Sequence, residues 1–171
     1  MDARNIILIF DASASMSGTG LEALRQAVQL MLSALRDYTG RSRKLTIILY
    51  ESTPYVLYPT EIIHNFEDFE LTVSLPLSTL EPAGASNFGA ALRLIPSFLS
   101  EREVSLVYWF TDGEPTDDWE RVLESLRGRI RLIGVGCGMK VNVALLSEVC
   151  DRVFGMENLT TEALLGTLRS G

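Results

Sequence analysis

Residues that bind soft metals are scarce in this sequence. It has one histidine, His64, and two cysteines, Cys137 and Cys150, in 171 residues. With no second histidine and no Cys-x-x-Cys pair, a zinc site lacks its ligands. A Ser-His-Asp triad would have to recruit His64, which follows a weak edge strand and is expected on the surface, away from the serines of interest. Positive charge is also in deficit: 15 Lys and Arg stand against 22 Asp and Glu, a formal charge of -7. Such a chain repels phosphate backbones, so nucleic acid is not expected as a partner. The one basic cluster, Arg41, Arg43 and Lys44, reads as the solvated entry to a strand.

Long apolar runs are missing too. The run at residues 6–10 is too short for a membrane helix or a signal peptide, and it ends in Asp11. No membrane partner is therefore expected. With no export signal, the cysteines are expected as reduced thiols and the chain as cytoplasmic. No repeat, low-complexity tract or linker-like break interrupts residues 1–171, which read as one domain large enough to bury a continuous core.

What is present is an alternation of short apolar strands with helical stretches. Strands are expected at 5–11, 44–50, 55–63, 104–111, 130–135 and 152–155. Pro54 bounds the third and Pro59 breaks it, which marks an edge. An amphipathic helix is expected over 21–38, from Leu24, Val28, Met31, Leu32 and Leu35. Further helices are expected over 87–99 (interrupted by Pro96), 117–127, 141–149 and 160–169, with a short helix and a loop within 66–80. Asp117 and Glu120 have the spacing of a capping box for the helix at 117. Strands apolar on both faces, separated by helices, imply a single doubly wound, Rossmann-like α/β domain: a mostly parallel six-stranded sheet, one antiparallel edge strand, helices on both faces.

In such sheets ligands sit beyond the carboxyl ends of the strands. The first strand is followed by Asp11-Ala12-Ser13-Ala14-Ser15-Met16, the fourth by Thr111-Asp112-Gly113-Glu114-Pro115-Thr116-Asp117. A third loop, Gly84-Ala85-Ser86-Asn87-Phe88-Gly89, precedes a helix. Asp11, Ser13, Ser15, Ser86 and Asp112 would make an all-oxygen site, suited to a hard cation such as Mg²⁺, with Ca²⁺ or Mn²⁺ as alternatives. Neutral hydroxyls leave such an ion short of negative charge, so it accepts an outside carboxylate. A plainer account of Asp11, Ser13 and Ser15 is that they cap the first helix, and of Asp112-Gly113 that it is a tight turn.

Asp11-x-Ser13-x-Ser15, Ser86 and Asp112 together resemble the metal-ion-dependent adhesion site of the von Willebrand factor type A (VWA) domain. Ser86 stands where that family usually has threonine, and Ala14 and Ala85 where it often has glycine. The resemblance implies that Ser13 and Ser15 bind the metal directly, Ser86 directly or through water, and Asp11 and Asp112 through water or at longer range. The stretches Thr111–Trp119 and Ile133–Gly138 are similar to those of TerY-type bacterial A domains of tellurium-resistance operons. That likeness implies a stress-response protein, a non-enzymatic binding module acting with a kinase or phosphatase. Met16, Phe88, Glu114 and Trp119 are expected as partner contacts, with Tyr50 and Glu51 at the rim. The alternatives are a metal-dependent phosphohydrolase with Asp11 as nucleophile, or a scaffold with an inactive metal site. The first lacks the usual second aspartate at position 13. Cys137, between glycines, reads as a small residue in a tight turn.

Overall fold

A computed structural model describes residues 3–170. Six strands form one sheet in the order β3-β2-β1-β4-β5-β6. They are β1 (Arg4–Asp11), β2 (Arg43–Tyr50), β3 (Pro54–Ile62), β4 (Ser105–Thr111), β5 (Ile130–Gly136) and β6 (Arg152–Phe154). All neighbours are parallel except β2 and β3, which pair antiparallel with register shifts around Ile47. Pro59 is tolerated because β3 is an edge and lends only one side to pairing. The helices are α1 (Thr19–Asp37), α2 (Phe66–Ser78), α3 (Phe88–Leu92), α4 (Trp119–Ser125), α5 (Val143–Val149) and α6 (Thr161–Arg169).

Side chains alternate across a strand, so β1 splits its apolar residues between two cores. Ile6, Leu8 and Phe10 pack with α1, α2 and α6, through Leu24, Met31, Val73 and Leu164 among others. Ile7 and Ile9 face α3, α4 and α5, with Phe88, Trp109, Trp119 and Leu146. All eight residues of β1 are buried, as its uninterrupted apolar run implied.

Local departures from expectation have local causes. The 66–80 stretch is mostly helix: Asn65 caps α2 by accepting from the Asp68 amide, and Phe69, Val73 and Leu77 supply a buried stripe. The helix expected over 87–99 is two pieces, α3 and a 3-10 turn at Ile95–Phe98 that places Pro96 where no N–H is needed. Asp117 does not cap α4. Its carboxylate accepts from the amides of Gly89 and Ala90 at 2.8 and 3.0 Å, and so caps α3 from a distant segment. The basic cluster is largely consumed internally: Arg41 makes two hydrogen bonds to Glu103, and Arg43 donates to the Leu35 carbonyl.

Leu8 is fully buried in the central strand. Leu8→Ala is expected to lower the unfolding free energy by about 3 kcal/mol, read as a shift in the urea midpoint at constant slope.

Candidate metal centre

Chain order dictates where a crevice opens. The chain leaves β1 toward β2 on one side and returns through β4 on the other, so the strand order reverses between β1 and β4. Asp11 ends β1, and Asp112 follows the last residue of β4. Both lie at the carboxyl edge, where ligands of such sheets bind. His64 and Lys44 lie at the opposite edge, because Lys44 pairs with Asn5 and with Ile62. The one histidine is thus remote from every serine of the crevice.

Strand parity chooses the neighbours of Asp11. Its side chain points to the same face as Ile7 and Ile9, the face of Tyr50 and Trp109. Register sets Asp11 beside Tyr50 and Ile9 beside Trp109. The carboxylate is fully buried. Oδ1 accepts from the Ser13 amide at 2.9 Å. Oδ2 accepts from Thr111 Oγ1 at 2.6 Å and from Ser86 Oγ at 3.2 Å. Burial pushes the Asp11 carboxyl up; the hydrogen bonds from Ser13 and Thr111 oppose that, and the charge of Asp112 adds to it.

A polarised chain of hydrogen bonds ends on this carboxylate. Trp109 Nε1 can only donate, and it does so to the Tyr50 hydroxyl at 3.0 Å. Tyr50 Oη and Ser86 Oγ are 3.4 Å apart. Because Ser86 gives its proton to Asp11, Tyr50 is the donor in that contact. Burial and then the Asp11 charge push the Tyr50 phenol well above its ordinary value, so it stays a donor. One lone pair of Ser86 Oγ remains for a ligand.

Ser13 Oγ and Ser15 Oγ lie 3.2 Å apart. Adjacent ligands of an octahedral ion with bonds near 2.1 Å are separated by about 3 Å, so the pair is spaced as cis ligands require. Asp112 and Ser86 are buried, while Ser15 is exposed. Among the described residues no group of three or more His, Cys, Asp or Glu could hold a metal. A cation here therefore depends on hydroxyls, a donor set for hard ions. The structure brings Asp11, Ser13, Ser15 and Ser86 into one hydrogen-bonded cluster, with Asp112 close enough for its charge to act on Asp11. A helix cap does not describe it: the side chain of Ser13 makes no cap bond to the short 3-10 turn at Ala14–Met16, and Gly18 precedes α1. Ala14 and Ala85 are accommodated because no described non-glycine residue has positive φ, so neither position needs glycine's freedom. Gly113 does, at φ 80.

Three of the expected contact residues are not at the surface. Met16 and Phe88 are 0% exposed and Trp119 only 8%. Phe88 stacks flat on Trp109 with ring centroids 3.7 Å apart, and Trp119 packs against Phe88. Phe88 and Trp119 open α3 and α4 and pack into the core on the Ile7 and Ile9 face, while Met16, at the end of the 3-10 turn, packs into the core beneath α1. Glu114 is exposed, and Tyr50 lies beneath the site rather than on its rim. Sequence reasoning missed Thr111 as a carboxylate partner, although its parity on β4 matches that of Asp11 on β1. Met139, 85% exposed, lies in the loop after β5, and its amide donates to Thr19 at the start of α1. Cys137 is buried and its thiol is pushed far up by burial and by the charges of Asp11 and Asp112, which leaves it unreactive.

Comparison with known proteins gives a consistent family. The profile of the von Willebrand factor type A domain matches residues 5–164. Inter-alpha-trypsin inhibitor heavy chain H4 of Homo sapiens is 24% identical over 162 residues, which cover 85% of this chain and 17% of that protein. The chain therefore spans about a sixth of that relative's length, 17%. The manganese-loaded Plasmodium vivax TRAP protein superposes with a TM-score of 0.76 at 19% identity, covering 98% of this chain and 72% of that one. A von Willebrand factor type A protein from Catenulispora acidiphila gives 0.70 at 18%, covering 99% and 42%. Proximal thread matrix protein 1 of the mussel byssus, with a zinc-occupied MIDAS motif, gives 0.68 at 15%, covering 98% and 46%.

The raised Asp11 pKa has a sign that can be checked. A buried carboxylate with its pKa above the unfolded 3.8 opposes folding at neutral pH, and that opposition fades as pH falls through the raised value toward 3.8. In EDTA, Asp11→Asn is expected to melt above the wild-type chain at pH 7, with the gap closing on acidification. Calorimetry across that pH range reads it; a gap that widens toward low pH would contradict the burial argument.

Proposed function

Because this chain belongs to the von Willebrand factor type A domain family, we propose that it is a metal-dependent protein-binding module, with Mg²⁺ held by Ser13, Ser15, Ser86, Asp11 and Asp112. The observation that carries this reading is the spacing of Ser13 and Ser15 hydroxyls, 3.2 Å, beside two buried aspartates. Ser13 and Ser15 supply neutral donors. Asp11 holds Ser13 through its amide and Ser86 through its hydroxyl, and with Asp112 supplies the compensating negative charge. The bound cation supplies a Lewis-acidic position open to an outside carboxylate. Structural neighbours described as manganese-loaded and zinc-occupied support a divalent ion at such a site, and Mn²⁺ or Ca²⁺ would serve in place of Mg²⁺.

VWA domains are generally interaction modules, and we propose no enzymatic role here. Ser13 occupies the place a phosphohydrolase would give to a second aspartate, and His64 is at the far edge of the sheet. The partner is proposed to be a protein that presents a glutamate or aspartate to the ion. Glu114 stands exposed beside the crevice and Met139 adds apolar area. Among the described residues no helix is long and apolar enough to cross a membrane. The likeness of Thr111–Trp119 and Ile133–Gly138 to TerY-type domains supports a finer reading: a bacterial tellurite or stress-response component acting in the cytoplasm with a kinase or phosphatase. Cys137 and Cys150, both free thiols, accord with a reducing compartment.

Ser13→Ala and Asp112→Ala are expected to abolish the heat of Mg²⁺ binding in titration calorimetry while the far-ultraviolet dichroism stays that of the wild type. Undiminished affinity in both variants would refute the site. A pull-down from bacterial lysate is expected to retain an acidic-motif partner with Mg²⁺ and to lose it in EDTA or with Asp11→Ala.

A further inference from the structure

Ser86 comes from the stretch between α2 and α3, a part of the chain with no secondary structure of its own. The flanking residues are held by the turn after β2, where the Asn87 amide donates to the Glu51 carbonyl at 3.1 Å and the Ala85 amide to Ser52 Oγ at 2.9 Å, but both backbone groups of Ser86 itself are bound by one residue. Thr116 donates its amide to the Ser86 carbonyl at 2.8 Å, and its hydroxyl accepts from the Ser86 amide at 3.1 Å. The next residue, Asp117, accepts from the Gly89 and Ala90 amides at 2.8 and 3.0 Å, which anchors the first turn of α3 just beyond Ser86. Gly89 permits that approach: a Cβ there would meet Asp117 Oδ2 at 2.9 Å. Thr116 and Asp117 belong to the same loop as Asp112, whose Oδ1 accepts from the Glu114 amide. Two oxygen donors from segments far apart in sequence are thereby tied to one another through backbone hydrogen bonds.

We propose that Thr116 and Asp117 are positioning residues that set the cation affinity of the crevice by fixing Ser86 relative to Asp112. The proposal rests on the metal-binding reading above. The physical reason is that a hydroxyl is a weak ligand, useful only when held in place before the ion arrives. A serine on an untethered loop would lose in ordering entropy much of what it gains in coordination. The backbone clamp removes that loss in advance. It also accounts for the Thr116-Asp117 dipeptide, which does not cap α4.

The experiment compares Thr116→Val, Thr116→Ser, Asp117→Asn and Gly89→Ala in the whole chain. Mg²⁺ affinity is measured by titration calorimetry, and amide hydrogen exchange in EDTA. Thr116→Val and Asp117→Asn are expected to bind Mg²⁺ about tenfold more weakly, as loss of an outer-shell partner does. In the metal-free protein the Ser86 amide should exchange faster in the first, and the Gly89 and Ala90 amides in the second. Gly89→Ala should copy Asp117→Asn from the other side of the contact, and Thr116→Ser, which keeps the hydroxyl, should match the wild type in both readouts. Wild-type Mg²⁺ affinity alongside faster exchange would overturn the proposal, because the clamp would then be merely structural; unchanged exchange would overturn it as well. A wild-type chain that takes up no Mg²⁺ would instead bring down the metal-binding reading itself.

Discussion

A single buried carboxylate organises this end of the molecule. Asp11 sits at the tip of the central strand with no solvent exposure, and it is surrounded by donors: the Ser13 amide, the Thr111 hydroxyl and the Ser86 hydroxyl. Hydrogen bonds to a charged group contribute on the order of 1.5–3 kcal/mol each, so the three together offset much of the cost of taking the anion out of water. They do not remove it, and the carboxyl's pKa stays raised. The proposed cation at the crevice would offset that residual imbalance. The loops that close the crevice are also the loops that satisfy Asp11, so the proposed binding and local stability would share the same bonds.

The rest of the fold serves to aim those groups. Alternation along β1 sends Ile7, Ile9 and Asp11 to one face, where Tyr50, Trp109 and Thr111 meet them. Trp109 is anchored by Phe88 stacked on its ring, and its indole N–H starts the hydrogen-bond chain through Tyr50 to Ser86. Aromatic packing in the core therefore reaches the site as hydroxyl orientation. The glycines of β5 do a different job. A Cβ at Gly134 would meet Cys150 Sγ at 2.8 Å, and one at Gly136 would meet Val141 at the same distance. Their absence of side chains lets α5 and its preceding loop lie close to the sheet, against Asp112 and Gly113.

The partner surface is where side-chain type misled. Met16 ends the 3-10 turn after β1, and Phe88 and Trp119 open α3 and α4, all next to the crevice, where large apolar residues suit a contact role. Each is instead inside: Met16 packs into the core beneath α1, and Phe88 and Trp119 into the core on the Ile7 and Ile9 face of the sheet. Glu114 and Ser15 are among the residues of these loops that stay outside, as is Met139 on the neighbouring loop.

Periodicity and order of elements were enough to establish the doubly wound sheet, its edge strand and the placement of Asp11 and Asp112 at strand ends, because backbone pairing and face alternation are local rules that the pattern of apolar residues obeys. The residues proposed as oxygen donors were also named from residue type, since few types bind a hard cation, and the structure gathers Asp11, Ser13, Ser15 and Ser86 into one hydrogen-bonded cluster. Which groups hold those donors was not. Thr111 meets Asp11, Thr116 clamps Ser86, and Asp117 caps α3 rather than α4, only because segments as far apart as 100 residues are brought within hydrogen-bond distance. Such pairings depend on the register and packing of the whole sheet, and no window of sequence contains them.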